Sequence, residues 1–443
     1  MYARRIKSLG HPTRKIAVTR ATHPLDPNVL HLLSACREDL LLPNLHSLCL
    51  TVDDIDRGFL HHSSLLVGSP LKHFSLSFLN DIPKDTDSMI SSIRHICATC
   101  DLEDFELISL SFPGRAALIT DVLRPPASFR KFWVFDLSHS HVVRLASLPE
   151  LREVKLGFRY DNNLDFLANA SLSSYFPSLQ VLNISVASLA ICGDLLRIMG
   201  SANLRDLSVI HSGPIASDPN SFLEFFTLLN EHCSHSSLQA VTILQSGGPD
   251  GSLRSYAEIS ARSLAPMFVF SRLTDVYVDC SCTYDLNNDS LAQMARAWPK
   301  LEALTLGVDH GWEQLSNITF HGLSQLVRLC PKLHAIGVAV NVSVDDLRFE
   351  DPEIAQSSNG RVTRIDLGDS AMGEVDPVAK AFAHLFPNLC SIWIRRPVWQ
   401  EAYTLEQNRR GGDIANDYWN AVQRQVRAYA DAAAQGPSFD MII

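Results

Sequence analysis

The chain has 443 residues, 46% of them hydrophobic, with a formal net charge of -10; it can bury a large core and has no general attraction for polyanions. No dense Lys/Arg run occurs, which argues against a nucleic-acid surface. No apolar stretch approaches the roughly 20 residues of a membrane-spanning helix, and the first residues, Met1-Tyr2-Ala3-Arg4-Arg5-Ile6-Lys7, lack the apolar core of a secretory signal. The ten cysteines are scattered, and Cys97, Cys192 and Cys330 sit in core-patterned segments. This usage implies reduced, buried thiols and a cytoplasmic and/or nuclear location.

Residues 1–40 are the least regular and are expected to form an irregular or helical N-terminal cap. Residues 2–9 read as a helical remnant. A second helix is expected over residues 27–36, with Asp26 as N-cap and Pro27 at its first position.

From residue 41 a short pattern repeats. Its clearest copies are Phe176-Pro177-Ser178-Leu179-Gln180-Val181-Leu182-Asn183-Ile184 and Trp298-Pro299-Lys300-Leu301-Glu302-Ala303-Leu304-Thr305-Leu306, joined by copies at Cys330-Pro331 and Phe386-Pro387. Each is a bulky residue, Pro, any residue, then Leu-x-x-Leu-x-Leu. That spacing fits a turn feeding a short strand whose alternate side chains enter a core. Units begin at Leu45, Leu71, Phe105, Phe129, Leu151, Leu179, Leu204, Leu238, Leu273, Leu301, Leu333, Val362 and Leu389. About thirteen strands at an average period of roughly 29 residues match the leucine-rich-repeat class.

Helical spacing recurs between the strands, in the stretches around Ile93, Phe225, Met294, Leu326 and Phe382. The fold class expected is therefore α/β: one curved leucine-rich-repeat solenoid over residues 41–396, with parallel strands on the concave side and helices on the convex side. Loops at 246–252, 281–288 and 343–360 are placed at the strand-to-helix edge. Residues 397–443 form a C-terminal capping segment and tail. Its helix is expected over 414–434, after Gly411-Gly412, with an apolar line of Ile414, Tyr418, Trp419, Val422, Val426 and Tyr429. The tail after residue 434 is expected to fray.

The Phe-Pro-x-Leu-x-x-Leu-x-Leu strands, the Tyr2-Ala3-Arg4-Arg5-Ile6-Lys7-Ser8-Leu9 opening and Leu41-Leu42-Pro43-Asn44-Leu45 before the first strand resemble fungal F-box/leucine-rich-repeat proteins. That resemblance implies the substrate-binding half of an SCF-type ubiquitin ligase. In the family, a helical F-box with a Leu-Pro-x-Glu start precedes such an opening and docks the ligase adaptor. Here the only similar triplet, Leu148-Pro149-Glu150, lies inside the repeats and runs into a strand. Adaptor binding is thus expected only if an F-box lies upstream of Met1. Without one the chain is a stand-alone scaffold or inhibitor unrelated to ubiquitin.

Catalytic and metal motifs give little. Cys97-Ala98-Thr99-Cys100 has CxxC spacing, but Cys280-Ser281-Cys282 has the wrong spacing to complete a zinc site. His61-His62 and the acidic Asp53, Asp54 and Asp56 fall in an expected loop, as does the glycine-rich Gly247-Gly248-Pro249-Asp250-Gly251. No Gly-x-Ser-x-Gly, His-Glu-x-x-His or phosphate-binding loop occurs. No enzyme activity, metal or cofactor is expected.

Strand alternation is more informative. The residues between the inward leucines face the concave side: Lys131, Trp133 and Phe135; Glu153 and Lys155; Asp206 and Ser208; Asp275, Tyr277 and Asp279; Arg364 and Asp366; Trp393 and Arg395. Trp, Tyr and Arg are the usual anchors of interfaces. The expected partner-binding residues are Trp133, Phe135, Lys155, Asp275, Tyr277, Asp279, Arg364, Trp393 and Arg395, gripping a protein or peptide. No nucleic acid or membrane partner is expected.

Overall fold

A computed structural model describes residues 7–9, 42–52, 68–78, 86–109, 128–134, 139–158, 164, 174–200, 202–211, 220–246, 257–312, 314–342, 357–394 and 405–435. The expected helix at 27–36 lies outside these residues. The chain divides into two compact units, Met1–Ser185 and Val186–Ile443.

In the first unit the strands follow sequence order: β1 (Ser8–Leu9), β2 (Ser47–Val52), β3 (His73–Phe78), β4 (Asp104–Ser109), β5 (Lys131–Val134), β6 (Glu153–Phe158) and β7 (Val181–Val186). Helices α1 (Thr86–Thr99) and α2 (His139–Ala146) lie between strands. The register is parallel, with Leu48 opposite Phe74, Phe74 opposite Phe105 and Phe105 opposite Phe132. Those inward residues are buried. Their rings form a continuous column, with Phe105 lying 6.0 Å from Phe74, 6.2 Å from Phe129 and 5.6 Å from Phe132.

In the second unit the order is β8 (Asp206–His211), β9 (Ala240–Gln245), β11 (Asp275–Asp279), β13 (Ala303–Leu306), β14 (Ala335–Gly337), β15 (Arg364–Asp366) and β16 (Ser391–Trp393). All pairs are parallel. A separate parallel pair is made by β10 (Glu258–Ser260) and β12 (Thr283–Asp285). The helices are α3 (Leu189–Met199), α4 (Ser221–His232), α5 (Ala261–Leu264), α6 (Asn288–Ala297), α7 (Phe320–Leu329), α8 (Val375–Leu385) and α9 (Leu405–Gln435). Helix α3 packs on α4, α6 on α7 and α8 on α9.

One backbone device sets the register in both units. At strand entry two consecutive N–H groups donate to a single carbonyl of the preceding repeat. Lys72 and His73 donate to the His46 carbonyl, Thr274 and Asp275 to that of Gln239, and Glu302 and Ala303 to that of Thr274. The bulky-Pro turn works alongside it. Trp298, Cys330 and Phe386 each cap a helix through their own N–H. Each then accepts from the N–H of the Leu three residues on, at 3.0–3.1 Å. The bulky side chain is buried while the following Pro, which has no N–H to satisfy, is exposed. The α/β leucine-rich-repeat architecture expected from the sequence is therefore present, each predicted unit contributing a strand.

Three expectations are corrected. Residues 8 and 9 form a strand, not a helical remnant, because the Lys7 carbonyl takes the N–H groups of His46 and Ser47 in the same forked way. Helix α9 begins at Leu405, not at Ile414, and runs through the Gly411-Gly412 pair expected to precede it; propagation along a long helix outweighs the roughly 1 kcal/mol that each glycine costs. The 281–288 stretch, expected as a loop, contains β12 and ends on the first residue of α6.

The terminal helix covers the open end of the second unit. Trp419, Val422 and Val426 are buried, and Trp419 meets Phe382 edge-on at 6.3 Å. Its polar side chains also finish the β16 edge. Gln423 Oε1 accepts the Ile392 N–H at 2.9 Å, and Arg427 donates to the Cys390 carbonyl at 2.6 Å. An unpaired strand edge is otherwise a template for aggregation.

Candidate protein-binding face

Residues between the buried strand positions form rows across each sheet. In the first unit one row runs Ser47, His73, Asp104, Lys131, Glu153 and the next runs Cys49, Ser75, Glu106, Trp133, Lys155. Most of the charges here are matched across strands. His73 Nδ1 lies 2.6 Å from Asp104 and Lys131 lies 2.8 Å from Glu153. At the strand entries Lys72 pairs with Asp101 at 3.0 Å and Arg130 with Glu103 at 3.0 Å. Trp133 is half-buried, with the Lys155 ammonium 5.3 Å from its ring centroid. Burial holds the Lys155 pKa below its usual value, and the Glu106 charge partly restores it. The indole Nε1 of Trp133 is buried without a hydrogen-bond partner among the described residues. Phe135 lies outside the described residues.

In the second unit the rows are Asp206, Ala240, Asp275, Ala303, Ala335, Arg364, Ser391 and Ser208, Thr242, Tyr277, Thr305, Gly337, Asp366, Trp393. Asp275 is exposed and accepts from the Thr274 hydroxyl at 2.7 Å. Tyr277 is half-buried between two threonines. Trp393 is 52% exposed although α9 sits beside its strand. The Arg364 guanidinium lies 4.2 Å from its ring centroid, so cation and ring hold one another in place. Arg395 lies outside the described residues.

Asp279 departs from expectation: it is fully buried. Strand alternation ends one residue earlier, at Val278, and the loop of the next repeat closes over the carboxylate. Asp279 accepts from the backbone N–H groups of Asp309 at 2.9 Å and His310 at 3.1 Å, with His310 Nδ1 also at 3.1 Å. It is a packed structural group and leaves the set of surface contacts.

Behind this edge, His211 Nε2 lies 3.4 Å from Cys280 Sγ, and the Tyr284 hydroxyl donates to the carbonyls of Val278 and Cys280. Such a thiol–imidazole contact suggests a nucleophile. Yet burial drives the Cys280 pKa well above its usual value, and both side chains are out of solvent, so the thiol stays protonated and inert. Cys97 and Cys100 behave alike, burial pushing them up to about 12 and about 11. Cys97 is half-buried on α1 and Cys100 donates to the Gly68 carbonyl. Among the described residues no group of three or more His, Cys, Asp or Glu side chains is placed to hold a metal. The residues His61, His62, Asp53, Asp54 and Asp56 and the 247–251 glycine run lie outside the described residues.

A shallow groove of about 590 Å³ runs between α8 and α9, lined by Lys380, His384, Pro387 and Tyr429. Lys380 is engaged there by Asp376 at 2.8 Å, which also accepts from the Tyr429 hydroxyl.

Sequence reasoning passed over the small residues Ala303, Thr305 and Ala335, half-buried on the solvent rows, and Gly337, which is in register with them but buried. Their signal is present in the repeat register, as absent bulk where neighbouring repeats carry Tyr, Asp or Trp.

No protein-family model and no curated protein matches the chain. Among solved structures, a leucine-rich-repeat protein of Leptospira interrogans is similar at 12% identity and a TM-score of 0.30, over 80% of this chain and 90% of that one. The repeat assignment rests on this chain's own strand order, register and turn chemistry.

Proposed function

We propose that the chain is a non-catalytic binding module that offers its solvent-facing strand rows to a protein or peptide partner. Trp393 carries this reading: a large aromatic on a row that faces away from the core, 52% exposed and stacked with Arg364. Exposed Trp and Arg held in fixed geometry are typical energetic anchors of interfaces. Burial keeps the Cys192 and Cys280 thiols protonated, which argues against a nucleophilic role for those two.

The finer proposal is substrate recognition for an F-box-like ubiquitin ligase in the cytoplasm or nucleus. It is supported by the sequence resemblance alone. Proximity labelling in the native host, with the longest gene product and with this chain, tests both levels. A partner set lost in Trp393→Ala/Arg364→Ala supports the binding face, and an unchanged set refutes it. Recovery of the cullin-ligase adaptor with the longer product supports the ligase role. Its absence beside a Trp393-dependent partner leaves a stand-alone scaffold.

A further inference from the structure

Within the second unit, shape and charge narrow the kind of partner. Asp275, Ala303, Ala335 and Arg364 are register partners on four successive strands, as are Tyr277, Thr305, Gly337 and Asp366. The two middle strands therefore form a floor of small side chains between taller walls. The far wall is extended by Trp393, next to Asp366. Three strand steps of about 4.8 Å put the walls about 14 Å apart between backbones, and an α-helix is about 10–12 Å across. Gly337 itself is buried, and an added Cβ there would come within 2.9 Å of Thr305 Cγ2, so the Thr305 side chain fills that part of the floor and Ala303 and Ala335 form its accessible part. One helix with small residues on its inner face fits this trough.

Charge supplies the direction. In the first unit cations and carboxylates answer one another across the strands. At the near corner of the trough they do not. Asp275 lies opposite Ala303, and Glu302 immediately precedes Ala303. Two carboxylates thus flank one corner, and among the described residues neither makes an ion pair. The nearest cation in these rows, Arg364, is on the opposite wall and stacked on Trp393. Such a corner favours a cation brought by a ligand.

The geometry points to a basic helical segment of a partner protein as the occupant. It lies along the strands, with small residues on Ala303 and Ala335 and a Lys or Arg at the Asp275–Glu302 corner. This inference rests on the protein-binding reading above and specifies its partner.

The test uses the full chain and a labelled helical peptide of about four turns, alanine-based with lysine on one face, against a counterpart with glutamate in place of lysine. Fluorescence anisotropy should show saturable binding of the lysine peptide that weakens with salt, and none of the glutamate peptide. Asp275→Asn/Glu302→Gln should weaken binding about tenfold or more, and Ala335→Trp should block the floor. No binding of the lysine peptide, equal binding of both, or indifference to Asp275→Asn/Glu302→Gln overturns the inference. Those two changes, at the exposed Asp275 and the half-buried Glu302, carry the decision if Ala335→Trp fails to fold. A self-association seen by sedimentation and abolished by Ala335→Trp would make a second copy the occupant, which also overturns it. Cellular partners lost in Trp393→Ala but kept in Asp275→Asn/Glu302→Gln would sink the trough alone; partners kept in both sink the binding face as well.

Discussion

Asp279 has two backbone N–H donors from the Asp309–His310 turn and no solvent to replace them. Removing its carboxylate leaves both donors buried and unpaired, so Asp279→Ala should lower unfolding stability by about 2–4 kcal/mol. Asp279→Asn, which keeps one oxygen acceptor, should cost less. Tyr277→Ala, two residues earlier on the solvent row, should leave the denaturation midpoint nearly in place. The pair separates a structural residue from a surface one by chemical denaturation. The cysteines offer a second residue-scale check. Cys390 is exposed, whereas Cys192, Cys233, Cys280, Cys282 and Cys330 are buried. A disulfide-exchange reagent added to the native protein should label Cys390 first and reach those five only after unfolding.

At the scale of elements, α9 replaces a missing next repeat. It supplies apolar bulk through Trp419 and hydrogen-bonding groups through Gln423 and Arg427. Trp419→Ala should cost about 3–5 kcal/mol and make residues 375–394 sensitive to protease before the rest of the second unit. Gln423→Ala removes one acceptor from the β16 edge and should cost about 1 kcal/mol, seen as faster hydrogen exchange at Ile392. The α6–α7 edge has a comparable polar clasp. Asn288 donates to the Thr319 hydroxyl at 2.9 Å and accepts the Thr319 N–H at 2.8 Å. Asn288→Ala should therefore loosen the start of α7, a change that the same exchange measurement would report at Thr319.

For the whole molecule, the buried thiols predict an alkaline limit. Cys233 and Cys330 are each raised from 9.0 to about 12 by burial. The unfolded chain gives up these protons near the ordinary thiol value while the folded chain keeps them. The unfolded state is then favoured progressively as pH climbs from about 9 towards 12. Urea midpoints should fall as pH rises above 9, and Cys330→Ala should make that fall shallower. A midpoint constant to pH 11 would show that burial does not hold these protons.

The repeat strands were legible because a period-two line of Leu, Phe, Val and Ile at Leu48, Phe74, Leu182 or Leu304 has one geometric solution, and before Leu179, Leu301, Leu333 and Leu389 the bulky-Pro turn marks where the strand starts. The short β10–β12 pair was not, since three-residue strands such as Glu258–Ser260 and Thr283–Asp285 carry no period to read. Local pattern thus determined the repeat class, the buried face and most positions of the solvent rows. Tertiary structure alone decided that Asp279 is sealed while Trp393 stays open, and which small residues lie side by side between Tyr277 and Asp366. Those outcomes depend on what a neighbouring repeat places against a residue some thirty positions away in sequence, and no local spacing encodes that.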